Sequence, residues 1–459
     1  MECSFEERKQ QLESECMISD TLFSRSLERL SEFMKPFVAG MARNGQREYA
    51  ATFVRGLCSD LERKNSESIA YHFQLERKQI QYFIGESSWN DEPVRAELAR
   101  QVSAQLGTSD GVLVFDPSGF PKSGKESVGV ARQWCGRLGK IDNCQVGVFM
   151  AYVSRYGHAL IDGELYLPKE WTKDKPRMKK AGVPKSRQKH RTRHEICLEL
   201  LDRHGPQMPH TWITGDDELG RPAEFRRELR RRNEQYLLAV PSNSTIVDLE
   251  SDPPEYTGKG RRPVRPSVRV DKWVADQPVS LWQQVDVRDA EKGPLVIELL
   301  KRHVATSRRS KGGSAEETLV IIRYRDRDQA VVKQDYYFSS APVTTPHAEF
   351  GRVAKAEHRV EDCFDRGKGE AGMTDYEVRN WTGWQHHQTL SLVASWFLNV
   401  ETRRAEKKDA GDDIQSGPEV HRIDHSSRVS MRFTPRRHPP HHQATRTKPT
   451  CPTLSLAQT

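Results

Sequence analysis

Three acidic residues that lie far apart in the sequence, and a lysine close to the third, have the side chains that metal-dependent phosphoryl transfer requires. Asp116 ends the apolar run GVLVFD, Asp216 closes TWITGD, and Glu361 lies in HRVEDCFDRGK. Two-metal phosphoryl chemistry needs acidic groups that converge from separate elements of the fold. Lys368 follows Glu361 by seven residues, or about two helical turns, so both face one side. We therefore predict a two-metal site with Lys368 on the neighbouring phosphate.

The segment FDPSGFPKSGKES allows a second interpretation, because from Gly119 it spells G-x-x-x-x-G-K. A phosphate loop needs a hydroxyl after its lysine and a cradle of backbone N–H groups that leads into a helix. Glu126 occupies the position where the hydroxyl residue is needed, and Pro121 removes one backbone N–H. The glycine-rich segment that follows lacks the pattern of a helix. The nucleotide interpretation is rejected in favour of the carboxylate one.

Other acids compete for the predicted roles. Asp217 adjoins Asp216 and could exchange with it. Acids on a helix usually form a solvated face, and the segment around Glu361 holds three more of them: Glu357, Asp362 and Asp365. The spacing to Lys368 favours Glu361.

The elements around these acids predict an α/β fold. Three strand-like runs, GVLVFD, CQVGVFMAYVS and HALIDGELYLP, precede a helix HEICLELLDRHG, a strand TWITGD, a helix AEFRRELRRRN and a strand YLLAV. This order is typical of a ribonuclease-H-like mixed sheet, in which the first strand is central and the fourth lies beside it. Asp116 and Asp216 would then emerge together, and a late helix would bring Glu361 to them.

The segments that flank the predicted core differ from it in composition and hydrophobic periodicity. Residues 20–106 show helical spacing, with Leu22, Leu27, Leu30, Phe33 and Met34 predicted on one face. Within them, SIAYHFQLERKQIQYFI has the outline of a helix-turn-helix, for which a plain helical bundle remains the alternative. The predicted organisation is a helical N-terminal DNA-binding domain (1–106), the ribonuclease-H-like catalytic core (107–242), a β-rich insertion (243–345), the core's C-terminal helices (346–404) and a disordered tail (405–459).

Composition points to a basic protein without a membrane span. The 459 residues carry a formal charge of +8 at a sequence pI of about 9.0, which makes nucleic acid the first partner to consider. No apolar run is long enough for a bilayer, and the N-terminal text is too acidic and polar for a signal peptide, so a cytoplasmic location is expected. The eight cysteines form no C-x-x-C pair, and we interpret them as reduced thiols. The HPPHH run in the tail is interpreted as solvated rather than metal-binding.

Four long segments resemble the IS701 family of bacterial insertion-sequence transposases, within the DDE group related to the IS4 family. They are FDPSGFPKSGKESVGVARQWCGRLGKIDNCQVGVF, LYLPKEWTKDKPRMKKAGVP, WITGDDELG and RVEDCFDRGKGEAGMTDYEVRNWTGWQHHQTLSLVASWFL. The resemblance runs from roughly residue 20 to residue 403. It implies the catalytic triad Asp116, Asp216 and Glu361, and its closing motif NWTGWQHHQTL is interpreted as packing around the Glu361 helix.

The chain departs from the related IS4 signature Y-x2-R-x3-E-x6-K. It keeps Glu361 and Lys368 but has Ala354 in place of the tyrosine and Glu357 in place of the arginine, for which Arg359 is a candidate substitute. The resemblance therefore implies the triad without implying the IS4-type hairpin mechanism.

Basic segments flank the proposed site and predict contacts with DNA phosphates, ordinary solvation being the alternative. Trp273 and Trp282 lie in the predicted insertion, where related transposases stack an aromatic residue on a flipped base, although core packing is an equal alternative. The residues predicted to bind DNA are Lys122, Lys125, Arg177, Lys179, Lys180, Lys185, Arg187, Arg261, Arg262, Trp282 and Arg359.

Together these observations predict a transposase that uses two Mg²⁺ or Mn²⁺ ions to cut the element's DNA ends and to join the 3′-hydroxyl to target DNA. Its expected partners are double-stranded DNA with terminal inverted repeats, target DNA and a second copy of the chain, in the bacterial cytoplasm at the nucleoid. Two alternatives stay open. One is a transposase-derived DNA-binding regulator without catalysis, and the other is a ribonuclease-H-like nuclease without strand transfer.

Overall fold

The computed structural model describes residues 25–409, apart from 259, 261, 288–294, 307–315 and 327–328. Helices precede the first strand, as predicted, and their buried apolar side chains join the main core. In the described part of the chain these helices are α1 (Ser26–Val38), α2 (Asn44–Leu57), α3 (Ser66–His72), α4 (Arg77–Gly85) and α5 (Glu92–Leu106).

Helix α1 follows the predicted apolar face only in part. Leu30 and Met34 are buried and Phe33 packs against the core, but Leu27 is exposed. Leu22 lies outside the described residues. The buried stripe is instead completed by Phe37 one turn beyond Met34, because the i, i+4, i+7 positions share the face that meets the core.

Helices α3 and α4 have the spacing of the predicted helix-turn-helix outline. A short turn joins them, and Ile80, Phe83 and Ile84 of α4 are buried while Lys78 and Gln79 face solvent. The outline exists in the fold, and its use in binding DNA remains a prediction.

A mixed sheet forms the centre of the molecule. Its first strands are β1 (Val112–Pro121), β2 (Ala131–Cys135), β3 (Lys140–Ser154) and β4 (Gly157–Leu165), followed by helices α6 (Lys169–Lys173), α7 (Lys175–Lys180) and α8 (Arg193–His204). The chain continues through β5 (Trp212–Gly215), α9 (Asp217–Gly220), α10 (Ala223–Arg231) and β6 (Gln235–Ala239). β1 pairs antiparallel with β3 and parallel with β5, β3 pairs with β4, and β5 pairs with β6.

The β-rich segment after β6 extends this sheet. It comprises β7 (Thr245–Asp248), β8 (Val268–Arg269), α11 (Val270–Ala275), β9 (Gln283–Val287), β10 (Leu295–Ala305), β11 (Glu316–Arg325) and β12 (Val331–Ser339). β12 pairs with β6 through Phe338 and Leu238, so strands from both segments form one sheet of twelve strands among the described residues. The β-rich segment also has a core of its own, which includes Trp273.

Two long helices close the fold: α12 (His347–Gly369) and α13 (Trp381–Asp409). Helix α13 continues beyond residue 404, where the tail was predicted to begin, and residues 410–459 lie outside the described part. His386 stacks on Trp89 with ring centroids 3.8 Å apart, and burial lowers the pKa of His387 to about 4. Both imidazoles are thus packing groups, as interpreted from the sequence. Among the described helices, none combines the length and the apolar composition of a bilayer span.

Candidate active site

Asp116 and Asp216 lie next to each other where the pairing of β1 with β5 ends. The last pair of this parallel ladder is Phe115 opposite Gly215, and an aspartate follows each of them. Asp216 caps α9, since its Oδ1 accepts a hydrogen bond from the Leu219 backbone N–H at 3.1 Å. The fold therefore places the two acids at the same sheet edge, as the strand order predicts.

Asp116 does not end its strand, contrary to the prediction. β1 continues to Pro121 and remains paired with β3, with Asp116 opposite Phe149. Because β5 has already ended, this part of β1 has an open edge, and prolines are tolerated in a sheet where no partner strand needs their N–H. A paired strand, rather than a loop, holds the carboxylate.

Helix α12 brings the other two predicted residues to the same place. One open cleft of about 680 Å³ is lined by all four of them, Asp116, Asp216, Glu361 and Lys368. Other charged side chains also line it: Arg137, Arg193, Asp217, Glu218, Arg221 and Asp365. Acids from a strand, a helix cap and a long helix thus face a shared space that is open to a large substrate.

The cleft carries more negative charge than its cations neutralise. Burial and, after it, the neighbouring Asp216 raise the pKa of Asp116 to about 8, although Lys368 opposes the shift. Burial also raises the pKa of Asp216 to about 6, against the hydrogen bond from Leu219. Carboxyl groups with raised pKa values in a cleft are typical of functional sites, because placing acids close together does not stabilise the fold by itself.

Glu357 is a further acid near the pair that sequence reasoning left among the competing residues. It precedes Glu361 by one helical turn, and its Oε2 is shielded from solvent without a hydrogen-bond partner. Burial raises the pKa of Glu357 well above its ordinary value, and Asp216 and Asp116 raise it further. The i, i+4 spacing to Glu361 is the signal that could have identified it. Asp362, another competitor, is paired with Arg359 at 3.0 Å.

The donor set of the cleft fits a hard divalent cation. Carboxylate oxygens are the ligands that Mg²⁺ and Mn²⁺ prefer, and a cation would offset the repulsion between Asp116 and Asp216. Within the part of the chain that the structure describes, no three His, Cys, Asp or Glu side chains are yet close enough to hold a metal ion. Asp116, Asp216 and Glu361 would therefore have to draw together on binding one.

Several residues predicted to bind DNA have other partners. Lys122 turns inward, with its Nζ 3.4 Å from the centre of the Tyr376 ring and 3.2 Å from the Tyr376 carbonyl oxygen. Burial lowers the pKa of this lysine to about 8. Arg187 is paired with Glu199 at 2.7 Å, and Trp282 is covered by the Arg323 guanidinium at 3.8 Å.

Other basic residues remain at the surface. Arg177 lies over the Trp171 ring at 3.7 Å and, with Lys180 and Arg379, lines a second open cleft of about 520 Å³. The exposed ones are Lys125, Lys179, Lys180, Lys185 and Arg262, and Arg261 lies outside the described residues.

Gly119 is the first glycine of the rejected phosphate-loop pattern, and close packing explains why a glycine is needed there. A Cβ at this position would lie 2.9 Å from the Cys135 Sγ and 3.2 Å from its Cα, whereas a Cβ at Gly124 would meet nothing within 4 Å. We expect Gly119→Ala to cost about 1–3 kcal/mol of unfolding free energy because it overpacks this contact. Gly124→Ala is the matched control. Urea unfolding of both variants checks this, and equal losses would contradict the packing role.

Comparisons with known proteins agree with the geometry. A family model described as DDE superfamily endonuclease matches residues 36–294, more than half of the chain, including Asp116 and Asp216 but ending before Glu361. The probable transposase for insertion sequence element IS701 of Microchaete diplosiphon is 28% identical over 204 residues, which are 44% of this chain and 50% of that protein.

A solved structure was also found, described as a cryo-EM structure of the piggyBac transposase synaptic complex with hairpin DNA. The similarity covers 85% of this chain and 75% of that chain at 11% identity, with a TM-score of 0.36. The chain matches only half the length of the IS701 relative. The family match and the IS701 similarity confirm the resemblance inferred from the sequence: the chain belongs to the DDE superfamily of endonucleases and is similar to IS701 transposase.

Proposed function

We propose that the protein is a DDE transposase that cuts the DNA ends of an insertion sequence and joins the freed 3′-hydroxyl to target DNA. One observation carries the proposal: Asp116, Asp216, Glu361 and Lys368 line a single open cleft in a chain of the DDE endonuclease superfamily. The printed name of the IS701 relative, a probable transposase, supports transposition over other uses of a DDE nuclease.

The catalytic core is proposed to be ribonuclease-H-like. The strand order β4-β3-β1-β5-β6, with β1 antiparallel to β3 and parallel to β5, supports this. We further propose that residues 107–242 and 346–404 form this core, that 1–106 form a DNA-binding domain and that 243–345 are a β-rich insertion. The separate core around Trp273 supports the last division.

In the proposed mechanism, Asp116, Asp216 and Glu361 would hold two Mg²⁺ or Mn²⁺ ions. Bound ions would activate the attacking oxygen and stabilise the charge that develops on the phosphate. The backbone N–H of Leu219 donates a hydrogen bond to Asp216, and the half-buried Lys368, which lines the same cleft, would neutralise a phosphate oxygen beside the acids. Water attacks the phosphodiester first, and the released 3′-hydroxyl then attacks target DNA, so no covalent enzyme intermediate is needed.

The proposed partners are duplex DNA with terminal inverted repeats, target DNA and a second copy of the chain. Helices α3 and α4 are proposed to read the repeats, because Lys78 and Gln79 lie exposed at the start of α4. The surface lysines and arginines along α7 would contact the phosphate backbone. Pairing two DNA ends needs two active sites, hence at least a dimer on DNA. The proposed location is the bacterial cytoplasm, at the nucleoid.

Cleavage of DNA that carries the element's own ends tests this function. Asp116→Asn and Glu361→Gln should each lower Mg²⁺-dependent cutting by more than about 100-fold, since even indirect supports of a metal cost 10–100-fold. Asp217→Asn is the matched control and should cut like the parent, because this acid is exposed and pairs with Arg221. The assay should also contain a second duplex, on which joined 3′ ends are detected.

The outcomes separate the alternatives. Cutting without joined products would indicate a nuclease without strand transfer. Binding without any metal-dependent cutting would indicate a DNA-binding regulator. Parental activity in both Asp116→Asn and Glu361→Gln would show that the assigned acids are not catalytic.

A further inference from the structure

The chain contains a buried lysine that no step of the proposed mechanism uses. Lys64 is 7% exposed and lies in the connector between α2 and α3 (residues 58–65). Its Nζ donates hydrogen bonds to the Leu57 carbonyl at 2.9 Å and to the Glu370 carbonyl. Burial lowers the pKa of this lysine. Burying an ammonium group against neutral acceptors costs stability, so its position calls for a reason beyond packing.

Both acceptor carbonyls lie at the C-terminal end of a helix. Leu57 is the last residue of α2, and Glu370 is the C-cap of α12. Such carbonyls lack partners within their own helix and carry the negative end of its dipole, so one cation can satisfy two helices at once. Gly372 brings the α12–α13 loop (residues 370–380) close to the lysine, since its φ is 63° and a Cβ there would lie 2.8 Å from the Lys64 Cβ. Lys64 therefore fastens the end of α12 to α2.

The same connector joins this loop to the helices that are proposed to read DNA. Asn65 caps α3, because its Oδ1 accepts a hydrogen bond from the Ser68 backbone N–H at 2.8 Å. Its Nδ2 donates to Glu377 in the α12–α13 loop at 3.0 Å. The backbone N–H of Lys64 donates to Asp375 in that loop, also at 3.0 Å. A displacement of α3 would therefore act on the loop that follows the catalytic helix.

Helix α12 is the element that has to move when the catalytic acids come together. Asp116 and Asp216 each follow a residue of one paired rung between β1 and β5, so the sheet fixes their separation. Glu361 is carried by α12 instead. Among the described residues no three such side chains are close enough to hold an ion, so Glu361 has to approach the pair together with its helix. The contact with Lys64 lies at the end of that helix, two residues beyond Lys368.

We propose that Lys64 couples the binding of DNA by the N-terminal helices to the position of α12, so that end DNA and the divalent metal ion each tighten the binding of the other. This inference rests on the proposed function and adds a regulatory connection to it: the protein completes its metal site when it holds its own DNA end. Lys64 is thus a positioning residue that acts through α12. The coupling has the same size in both directions, because it is a difference between binding free energies.

Binding of a short duplex measures this coupling without any cutting. The probe contains the inner part of the inverted repeat and stops short of the cleaved phosphodiester, so that a metal ion in the cleft cannot bridge to it. Its affinity for the full-length protein is measured by fluorescence anisotropy in EDTA and in Ca²⁺ at equal ionic strength. Ca²⁺ should tighten binding by the parent about tenfold, which lies within the usual range of coupling between two sites. Asp116→Asn lacks a metal ligand and should show no such effect.

Lys64→Met keeps an unbranched apolar side chain but removes the cation, so its affinity should be the same with and without Ca²⁺. Lys64→Arg keeps the cation and its donors and should retain most of the Ca²⁺ effect. Arg63→Met is the matched control, because the adjacent Arg63 pairs with Glu377 at the surface with its own side chain 74% exposed. It should respond to Ca²⁺ like the parent. A merely structural role of Lys64 would weaken binding equally in both conditions.

Asn65→Asp provides a second test that leaves Lys64 in place. Aspartate preserves the cap of α3 but presents a like charge to Glu377, so the Ca²⁺ effect should fall here too. A full Ca²⁺ effect in both Lys64→Met and Asn65→Asp would overturn the proposal. So would a parent that cuts its DNA ends but binds the short duplex equally with and without Ca²⁺. A parent that binds no end-derived DNA would overturn the proposed function, and this inference with it.

Discussion

Asp116→Asn should make the metal-free protein more stable at pH 8 while removing its activity. The pKa of Asp116 is raised from 3.8 to about 8 by burial and then by Asp216. Its stabilising contribution is therefore complete below pH 3.8 and is lost progressively as the pH rises through 8, because the unfolded chain releases the proton first. Asparagine has the same shape and cannot ionise, so the variant escapes this loss.

The gain at pH 8 should be about 2 kcal/mol, less than the full shift implies because water reaches the half-buried carboxylate. Thermal unfolding in EDTA between pH 5 and pH 9 measures it. Mg²⁺ should then raise the melting temperature of the parent but not that of the variant. Asp365→Asn, an exposed acid of the same cleft, is the control. A variant that is less stable than the parent at every pH would show that Asp116 supports the fold instead.

The sequence was sufficient for the features that depend on local pattern. The apolar residues 112–115 and 212–215 are fully buried in their strands, and buried parallel strands have continuous apolar sequences. Once their order is known, the positions of Asp116 and Asp216 follow from the register alone. The spacing of Glu361 and Lys368 likewise follows from a helix that runs without interruption from His347 to Gly369.

Features that depend on distant contacts could not be predicted in this way. Lys122 belongs to a basic segment in the sequence, yet its ammonium group donates a hydrogen bond to Tyr376, which lies 254 residues away in the chain. β1 continues through two prolines because β5 happens to end at Gly215, which no local propensity reveals. The exposure of Trp134 could not be predicted either, since the residues around it have the pattern of an ordinary strand.

A buried ionic cluster joins the N-terminal helices to the sheet and was not foreseen at all. Asp162 on β4 is fully buried and accepts hydrogen bonds from Arg95 of α5 at 3.0 Å and from Arg203 of α8 at 2.7 Å. Its second oxygen also contacts His204 Nε2 at 2.7 Å. Burial alone would raise the pKa of Asp162, but Arg95, His204 and Arg203 hold it well below its ordinary value. The carboxylate is thus ionised and fully compensated.

Asp162→Ala should lower the unfolding free energy by about 3–5 kcal/mol, because it leaves the buried Arg95 guanidinium without its main counter-charge. Asp202→Ala is the matched control, since Asp202 also pairs with an arginine, Arg232, but at the surface, where the loss should be much smaller. Urea unfolding followed by circular dichroism compares the two. Because Arg95 belongs to α5 and Asp162 to the sheet, the Asp162 variant should also become more sensitive to protease within residues 26–106. Equal losses in both variants would mean that the cluster does not hold the helices to the sheet.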